Sequence, residues 1–264
     1  VIAAGSPRAL EVTATGPLST VQDLGRPGNA GIGVGVSGAA DRGSLRLANR
    51  LVGNAEDAAC VEVTLGGFAA RARGSLTIAV TGAPCPITVD GRSAAPAAVI
   101  RVPAGAEVRL GTAERGLRSY VAVRGGVDVE PVLGSRSTDL LSGLGPEILR
   151  PEAVLPVGPP PAEFPVVDSA PVRPPAEGTV SLRIVRGPRD DWFTAAALDT
   201  LLGEPYTVTT ECDRVARVST ARSSRAPRWA SCPARAWCRA PCRSRPRADR
   251  RCSLQTTPSP AGIR

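Results

Sequence analysis

The sequence predicts a mainly β protein built from short strands, followed by a second β unit that breaks off and a tail that does not fold. Three observations carry this. The runs CVEVTL, LTIAVTG, PITVDG, VIRVPAG and EVRLGT, all between residues 60 and 112, are β-rich and each is closed by Gly or Pro. Helical periodicity is confined to short stretches. Residues 218–264 contain only Val218, Leu254 and Ile263 from the Ile, Leu, Val and Phe set, too few to offset the entropy of ordering the chain.

Along the chain, RALEVTA at 8–14 alternates and reads as a strand. Residues 16–41 are mostly glycine-broken loop. DRGSLRLANRLVGN at 41–54 fits one helix: Asp41 caps it, Leu45, Leu47, Ala48 and Leu51 form the buried stripe, and Gly53 ends it. RSYVAVRGGVDV at 118–129 adds a strand, and residues 133–145 read as loop with a helical turn. These elements place a first domain at 1–155. A Pro-rich linker follows at 156–178. The second unit, 179–217, is expected to hold a strand at 180–186, a helix at 190–202 capped by Asp190 or Asp191 and anchored by Trp192 and Phe193, and a strand at 206–210.

The net charge of +8 is misleading. Residues 1–217 carry 21 Arg against 23 Asp and Glu, and residues 218–264 carry 11 Arg against one Asp. All 32 basic residues are Arg. No apolar run reaches the roughly 20 residues of a membrane span, and no basic-then-apolar leader is visible, so a cytoplasmic protein is expected. Cys60, Cys85 and Cys212 are scattered singly, which argues against a disulfide framework.

The Arg-rich tail has three readings. Arginines bind phosphate backbones, but only Trp229 and Trp237 supply aromatic stacking, a weak signal for nucleic acid. Cys232, Cys238 and Cys242 lack the paired C-x2-C spacing and any His, so no metal site is expected. The third reading is a shifted reading frame. One base earlier, permitted codons for residues 236–243 give M-V-P-G-A-V-Q, those for 231–235 give E-L-P-S-E-G, and those for 251–264 give a glycine-punctuated apolar run. The recovered text reads as short strands, so residues 218–264 are expected to be a frameshifted, disordered remnant of a second β domain.

The chain has no His, so acid–base chemistry falls to carboxylates, Tyr, Arg-stabilised oxyanions or a partner. TVQDLGR places Thr20, Gln22, Asp23 and Arg26 on a glycine-flanked loop, suited to an anionic or amide substrate or to an ion pair that braces the loop. Asp41, Arg42 and Asn49 surround the first helix, with Arg42 and Arg46 on one face and Asp41 equally explained as a cap. GSRSTDL supplies Arg136, Ser137 and Asp139, either for phosphate or carboxylate recognition or for a loop that hydrogen-bonds itself; its spacing is not that of a Walker motif. Glu62 alternates with Val61 and Val63, so with Thr64 it faces either a barrel mouth or water. Asp23, Arg26 and Asp41 are the candidate catalytic residues. Thr20, Gln22, Arg42, Asn49, Glu62, Arg136, Ser137 and Asp139 are the candidate substrate or phosphate ligands.

GPLSTVQDLGRPG at 16–28, VSGAADRGSLRLANRLVGN at 36–54, VEVTLGG at 61–67, VAVRGGVDV at 121–129, LGSRSTDL at 133–140 and GPRDDWF at 187–193 occur in this order. Together they resemble the biotin-dependent carboxyltransferase-like family, which includes allophanate hydrolase subunit 2, KipA and the C component of 5-oxoprolinase. The shifted-frame text resembles that family's later blocks. Cys212 stands where the family usually has Ser.

The resemblance implies a cyclophilin-like β barrel in the first domain and a second barrel left incomplete here. It implies the C-type component of an ATP-dependent 5-oxoprolinase complex, which opens 5-oxo-L-proline to L-glutamate alongside A-type and B-type partners. ATP would be handled within the complex; no biotin attachment site is seen. A urea-carboxylase or allophanate-hydrolase role, a KipA-like regulatory docking role, and inactivity through the broken second unit are the alternatives. Restoring the frame is expected to add exchange-protected strands after residue 215, measurable by hydrogen exchange.

Overall fold

The structure, a computed structural model, describes residues 8–175, 178–185, 193–212, 217–221 and 252–254. It separates into two units, Val1–Glu177 and Gly178–Arg264.

The first unit is two antiparallel sheets laid face to face. One has six strands in the order β11 (Val154–Pro156), β1 (Ala9–Thr15), β4 (Phe68–Arg73), β9 (Glu107–Leu110), β6 (Ile87–Val89) and β7 (Arg92–Ala94). The other has five, in the order β2 (Leu18–Gln22), β3 (Cys60–Thr64), β10 (Arg118–Val123), β5 (Leu76–Gly82) and β8 (Val99–Val102). Alternation explains the packing. Leu10, Val12, Phe68 and Val108 from the first sheet meet Val21, Val61, Ile78 and Val121 from the second in one buried cluster. The opposite face of the five-stranded sheet carries Cys60, Ala79, Tyr120 and Ala122. It is covered by Leu45, Ala48 and Leu51 of α1 (Arg42–Leu51). That helix lies where its sequence pattern puts it, with the Asp41 side chain accepting from the Ser44 N–H as N-cap.

Neither sheet closes on itself. Among the described residues β11 and β7 are the edges of one sheet, and β2 and β8 the edges of the other. This corrects the closed cyclophilin-like barrel that the resemblance implied: the architecture is two open antiparallel sheets. Closure needs tilted strands in a continuous, staggered register, and β6, β7 and β11 are only three residues long. Irregular chain covers two of the edges instead. Thr138 and Leu149 donate their backbone N–H groups to the Val21 and Ser19 carbonyls of β2, and the Val99 N–H of β8 donates to the carbonyl of Asp168.

The Pro-rich stretch after β11 runs along this unit. Arg124 donates to the carbonyls of Val52, Pro161 and Glu163 and stacks 4.5 Å over the Phe164 ring.

The second unit contains α2 (Ala195–Gly203) and a three-stranded antiparallel sheet of β12 (Tyr206–Cys212), β13 (Arg217–Ala221) and β14 (Cys252–Leu254). Thr194 caps α2, accepting from the Ala197 N–H; the expected caps Asp190 and Asp191, with Trp192, lie outside the described residues. The strand expected at 180–186 does not form over 180–185, where Val180, Leu182 and Val185 are exposed. Alternation without a paired neighbour does not make a strand. The tail expected to be disordered has ladder-paired strands at 218–221 and 252–254, because backbone pairing does not require aliphatic side chains. The rest of that expectation, and Cys232, Cys238 and Cys242, lie outside the described residues.

Phe68 is 1% exposed and holds the centre of the inter-sheet cluster. Phe68→Ala is expected to lower the unfolding free energy by about 3–5 kcal/mol, as measured by urea titration.

Candidate functional site

Past the end of β2 the chain enters a loop, 23–41, whose limbs approach too closely for side chains. A Cβ on Gly25 would lie 2.3 Å from the Val36 oxygen, and one on Gly38 would lie 2.7 Å from the Gly25 nitrogen; both glycines have positive φ. The loop is pinned by Asp23. Its Oδ1 accepts from the Gly25 N–H at 2.7 Å, Ser135 Oγ at 2.7 Å and Ser137 Oγ at 2.5 Å, and its Oδ2 accepts from the Arg136 N–H at 2.6 Å. Arg26 is buried beside it. It donates to the carbonyls of Ser137 (2.5 Å) and Val132 (3.3 Å) and to Ser37 Oγ (3.1 Å). Ser37 in turn donates to Asp139 Oδ2 at 2.8 Å.

Both segments are polar, glycine-bounded and unexplained by core packing, which predicts that TVQDLGR and GSRSTDL converge on one concave surface; they do meet. They meet as a buried brace rather than as an open surface. Thr20 and Gln22 are buried within it, with Gln22 Nε2 donating to Thr20 Oγ1 and to the Thr138 carbonyl, both at 3.0 Å. Gln22 Oε1 and Thr138 Oγ1 are buried without a hydrogen-bond partner among the described residues. Arg136 turns to the Val129 carbonyl and Asp128. Asn49 is likewise internal: it donates to the Ala58 carbonyl at 2.7 Å and accepts from Asn54 at 3.1 Å.

A second cluster lies beneath the start of α1. Glu62 is 1% exposed, which corrects the expectation that it lines a mouth or meets water. Its alternation against Val61 and Val63 is as read, but the face it occupies is roofed by the helix. Glu62 Oε2 accepts from Tyr120 OH and the Ala40 N–H, both at 2.9 Å. Tyr120 OH accepts from the Asp41 N–H at 2.7 Å. Arg118 Nε stands 3.7 Å from Glu62 Oε1. Burial, then the Glu62 charge, push the Tyr120 phenol well above its ordinary range, so it stays protonated and donates to the carboxylate.

Asp41 and Arg42 reach solvent side by side at the start of α1; Arg136 and Asp139 are also partly exposed but are engaged by Asp128 and Ser37. The Asp41 carboxylate is exposed and accepts from Ser44 N (3.0 Å) and Ser44 Oγ (2.6 Å). Arg42 is half-buried and has no ion-pair or hydrogen-bond partner among the described residues. Arg46 and Arg50, further along the helix, are paired with Glu56. A carboxylate and an adjacent guanidinium at a helix N-terminus can orient an anionic or amide group. The residues that sequence reasoning did not single out are Ser37 and Tyr120. Ser37 carries no signal in the sequence; its positive φ of 55° is seen only in the structure. Tyr120 sits in the apolar run SYVAV and reads as core.

Two open sheets, a capped helix on the outer face of one of them and a polar brace at the end of β2 make up the first unit. The chain belongs to the carboxyltransferase domain family, subdomains A and B, whose family model matches residues 32–228. It is 33% identical to the C subunit of 5-oxoprolinase from Escherichia coli over 209 residues, which are 78% of this chain and 66% of that protein. It is 39% identical to urea amidolyase of Saccharomyces cerevisiae over 140 residues, 53% of this chain and 8% of that protein. The crystal structure of TTHA0988 superposes with a TM-score of 0.72 at 32% identity, over 83% of this chain and 43% of that one. The chain thus spans just under two thirds of the 5-oxoprolinase relative and a small part of the amidolyase. No helix among the described residues is long and apolar enough to cross a membrane.

Burial alone would raise the Asp139 carboxyl, but donors from Leu141, Ser142 and Ser37 outweigh it and hold the group below its ordinary value. A depressed folded-state value adds stability above the unfolded carboxylate's value, near about pH 4. That contribution is lost as pH falls through the lower folded value. Asp139→Asn is expected to flatten the acid limb of the stability–pH profile below about pH 4, followed by urea denaturation at a series of pH values.

Proposed function

We propose that this chain is the C-type component of an ATP-dependent 5-oxoprolinase complex. In this reading it takes part in opening 5-oxo-L-proline to L-glutamate with A-type and B-type partners. The supporting observation is span: the match to a 5-oxoprolinase C subunit covers 78% of this chain, against 53% for the match to a urea amidolyase. Opening the lactam adds water across the ring C–N bond, and the ring nitrogen leaves as the amine of glutamate.

In this role the Asp41–Arg42 pair faces the substrate. Arg42 holds its carboxylate and Asp41 accepts from the lactam N–H. The donors of the 135–137 loop are spent on Asp23, so that loop does not fit the phosphates of ATP. Nucleotide handling accordingly falls to the partner proteins. Asp23 and Arg26 shape the loop instead of touching the substrate.

A urea-directed role is the second reading, favoured by the higher identity, 39%, over the 140 shared residues. Co-purification with the A-type and B-type partners, followed by glutamate release from 5-oxoproline with and without ATP, separates the two. Turnover that needs both ATP and the partners is expected. Partner binding without turnover on 5-oxoproline would overturn the assignment and leave a regulatory docking role.

A further inference from the structure

The three backbone N–H groups that lead into α1 are each tied to a different buried acceptor. Ala39 donates to the Asp23 carbonyl at 2.8 Å, Ala40 to Glu62 Oε2 at 2.9 Å, and Asp41 to Tyr120 OH at 2.7 Å. The segment starts at Ser37, a non-glycine residue in the left-handed region at φ 55°, whose hydroxyl bridges Arg26 and Asp139. Such a conformation persists only where the surroundings over-determine it.

Glu62 and Tyr120 are almost fully buried, and the phenol donates to the carboxylate at 2.9 Å. A buried carboxylate is costly, and an apolar pair of similar volume is commonly as stable or more so. Stability is therefore a poor account of why a charged and a phenolic side chain lie under the helix. What the pair does structurally is specific. It fixes two successive amides, so that the Asp41 backbone is held from within while its carboxylate projects outward to Ser44 and solvent.

We propose that Tyr120 and Glu62 are positioning residues that set the Asp41 carboxylate against the substrate; this rests on the reading of Asp41 and Arg42 as the substrate-facing pair. Neither Tyr120 nor Glu62 touches substrate. They act through the amides of residues 40 and 41. Misplacement of a reacting group by about 1 Å can cost on the order of 100-fold in rate, so the effect falls on kcat more than on KM.

The test uses the full chain reconstituted with its A-type and B-type partners and a glutamate-release assay. The variants are Asp41→Asn, Tyr120→Phe, Glu62→Gln and the double variant Tyr120→Phe/Glu62→Leu. The double variant removes the buried charge but also the acceptors of the Ala40 and Asp41 N–H groups and the carboxylate beside Arg118. It is therefore expected to melt lower, and its turnover is read at a temperature where it is folded and binds the partners as the parent does. There it is expected to lose at least about tenfold in kcat with KM little changed. Glu62→Gln, which still offers an acceptor to the Ala40 N–H, is expected to recover part of that loss.

A folded double variant that turns over at the parental rate while Asp41→Asn is inactive would overturn the positioning role and leave the site reading intact. Should Tyr120→Phe alone fail to fold, the double variant and Glu62→Gln still decide the question. A parent without turnover, or Asp41→Asn at the parental rate, removes the substrate-facing reading and the positioning role with it.

Discussion

The carboxylate of Asp23 is the acceptor at which three pieces of chain converge. It ends β2, takes the hydroxyls of Ser135 and Ser137 and the N–H of Arg136, and closes the loop onto the Gly25 N–H. Its own carbonyl accepts from Ala39, at the far limb of the same loop. The two hydroxyl donors are buried and the two N–H donors half-buried. Removing the acceptor would leave the hydroxyls to be desolvated without a partner, at about 1–3 kcal/mol apiece. The edge of β2, the 135–139 loop and the entry to α1 are therefore one mechanical unit, with Arg26 filling the space between them. The arrangement also explains why so many polar residues of these segments are buried: they serve one another before they serve a ligand.

The two faces of the five-stranded sheet have different chemistry. Val61, Val63, Val121 and Val123 point to the inter-sheet core, where close packing of aliphatic groups suffices. The other face alternates small apolar residues with Glu62, Tyr120 and Thr81, and α1 lies over it. Thr81 Oγ1 donates to the Ser44 carbonyl at 2.6 Å, Tyr120 takes the Asp41 N–H and Glu62 takes the Ala40 N–H. Apolar contacts alone would let a short helix slide along a flat sheet. Directional bonds at its first turn give it one register.

Much of this was legible in the sequence. Asp41 and Gly53 marked the ends of α1, and the leucine spacing marked its buried face. The runs from 60 to 123 gave the strands β3, β5, β6, β8, β9 and β10, because each joins β-branched residues to a closing Gly or Pro. Four strands of the first unit were hidden, among them β7 and β11, which are three residues long and offer no alternation to read. LSTVQ of β2 sits between glycine-rich turns and reads as loop, and FAARAR of β4 has little β propensity yet pairs with β1 and β9 on its two sides. Pairing of that kind is a property of neighbours distant in sequence, and no local pattern reports it. The open sheets were hidden for the same reason, since closure depends on the lengths of edge strands. At the site, the meeting of the TVQDLGR and GSRSTDL loops followed from their polar, glycine-bounded composition. That the meeting is internal did not, because each donor looks free until its acceptor is known. Tyr120 was concealed by its apolar neighbours. Its significance emerges only from register, which sets it opposite Glu62 on β3.

Cys60 lies on the helix-covered face, with its thiol 3.4 Å from Asn49 Oδ1 and 3.6 Å from the Ala58 carbonyl. Burial, reinforced by the Asp23 charge and only partly offset by Asn49, drives its ionisation far above the ordinary thiol range. The nucleophilic thiolate is thereby suppressed as long as the helix is seated. Exposure of this sulfur requires α1 to lift from the sheet, so the rate at which Cys60 takes up a thiol reagent is a clock for that opening. The same undocking frees the amides of residues 40 and 41, which makes one cysteine an internal reporter on the stability of the segment that carries Asp41.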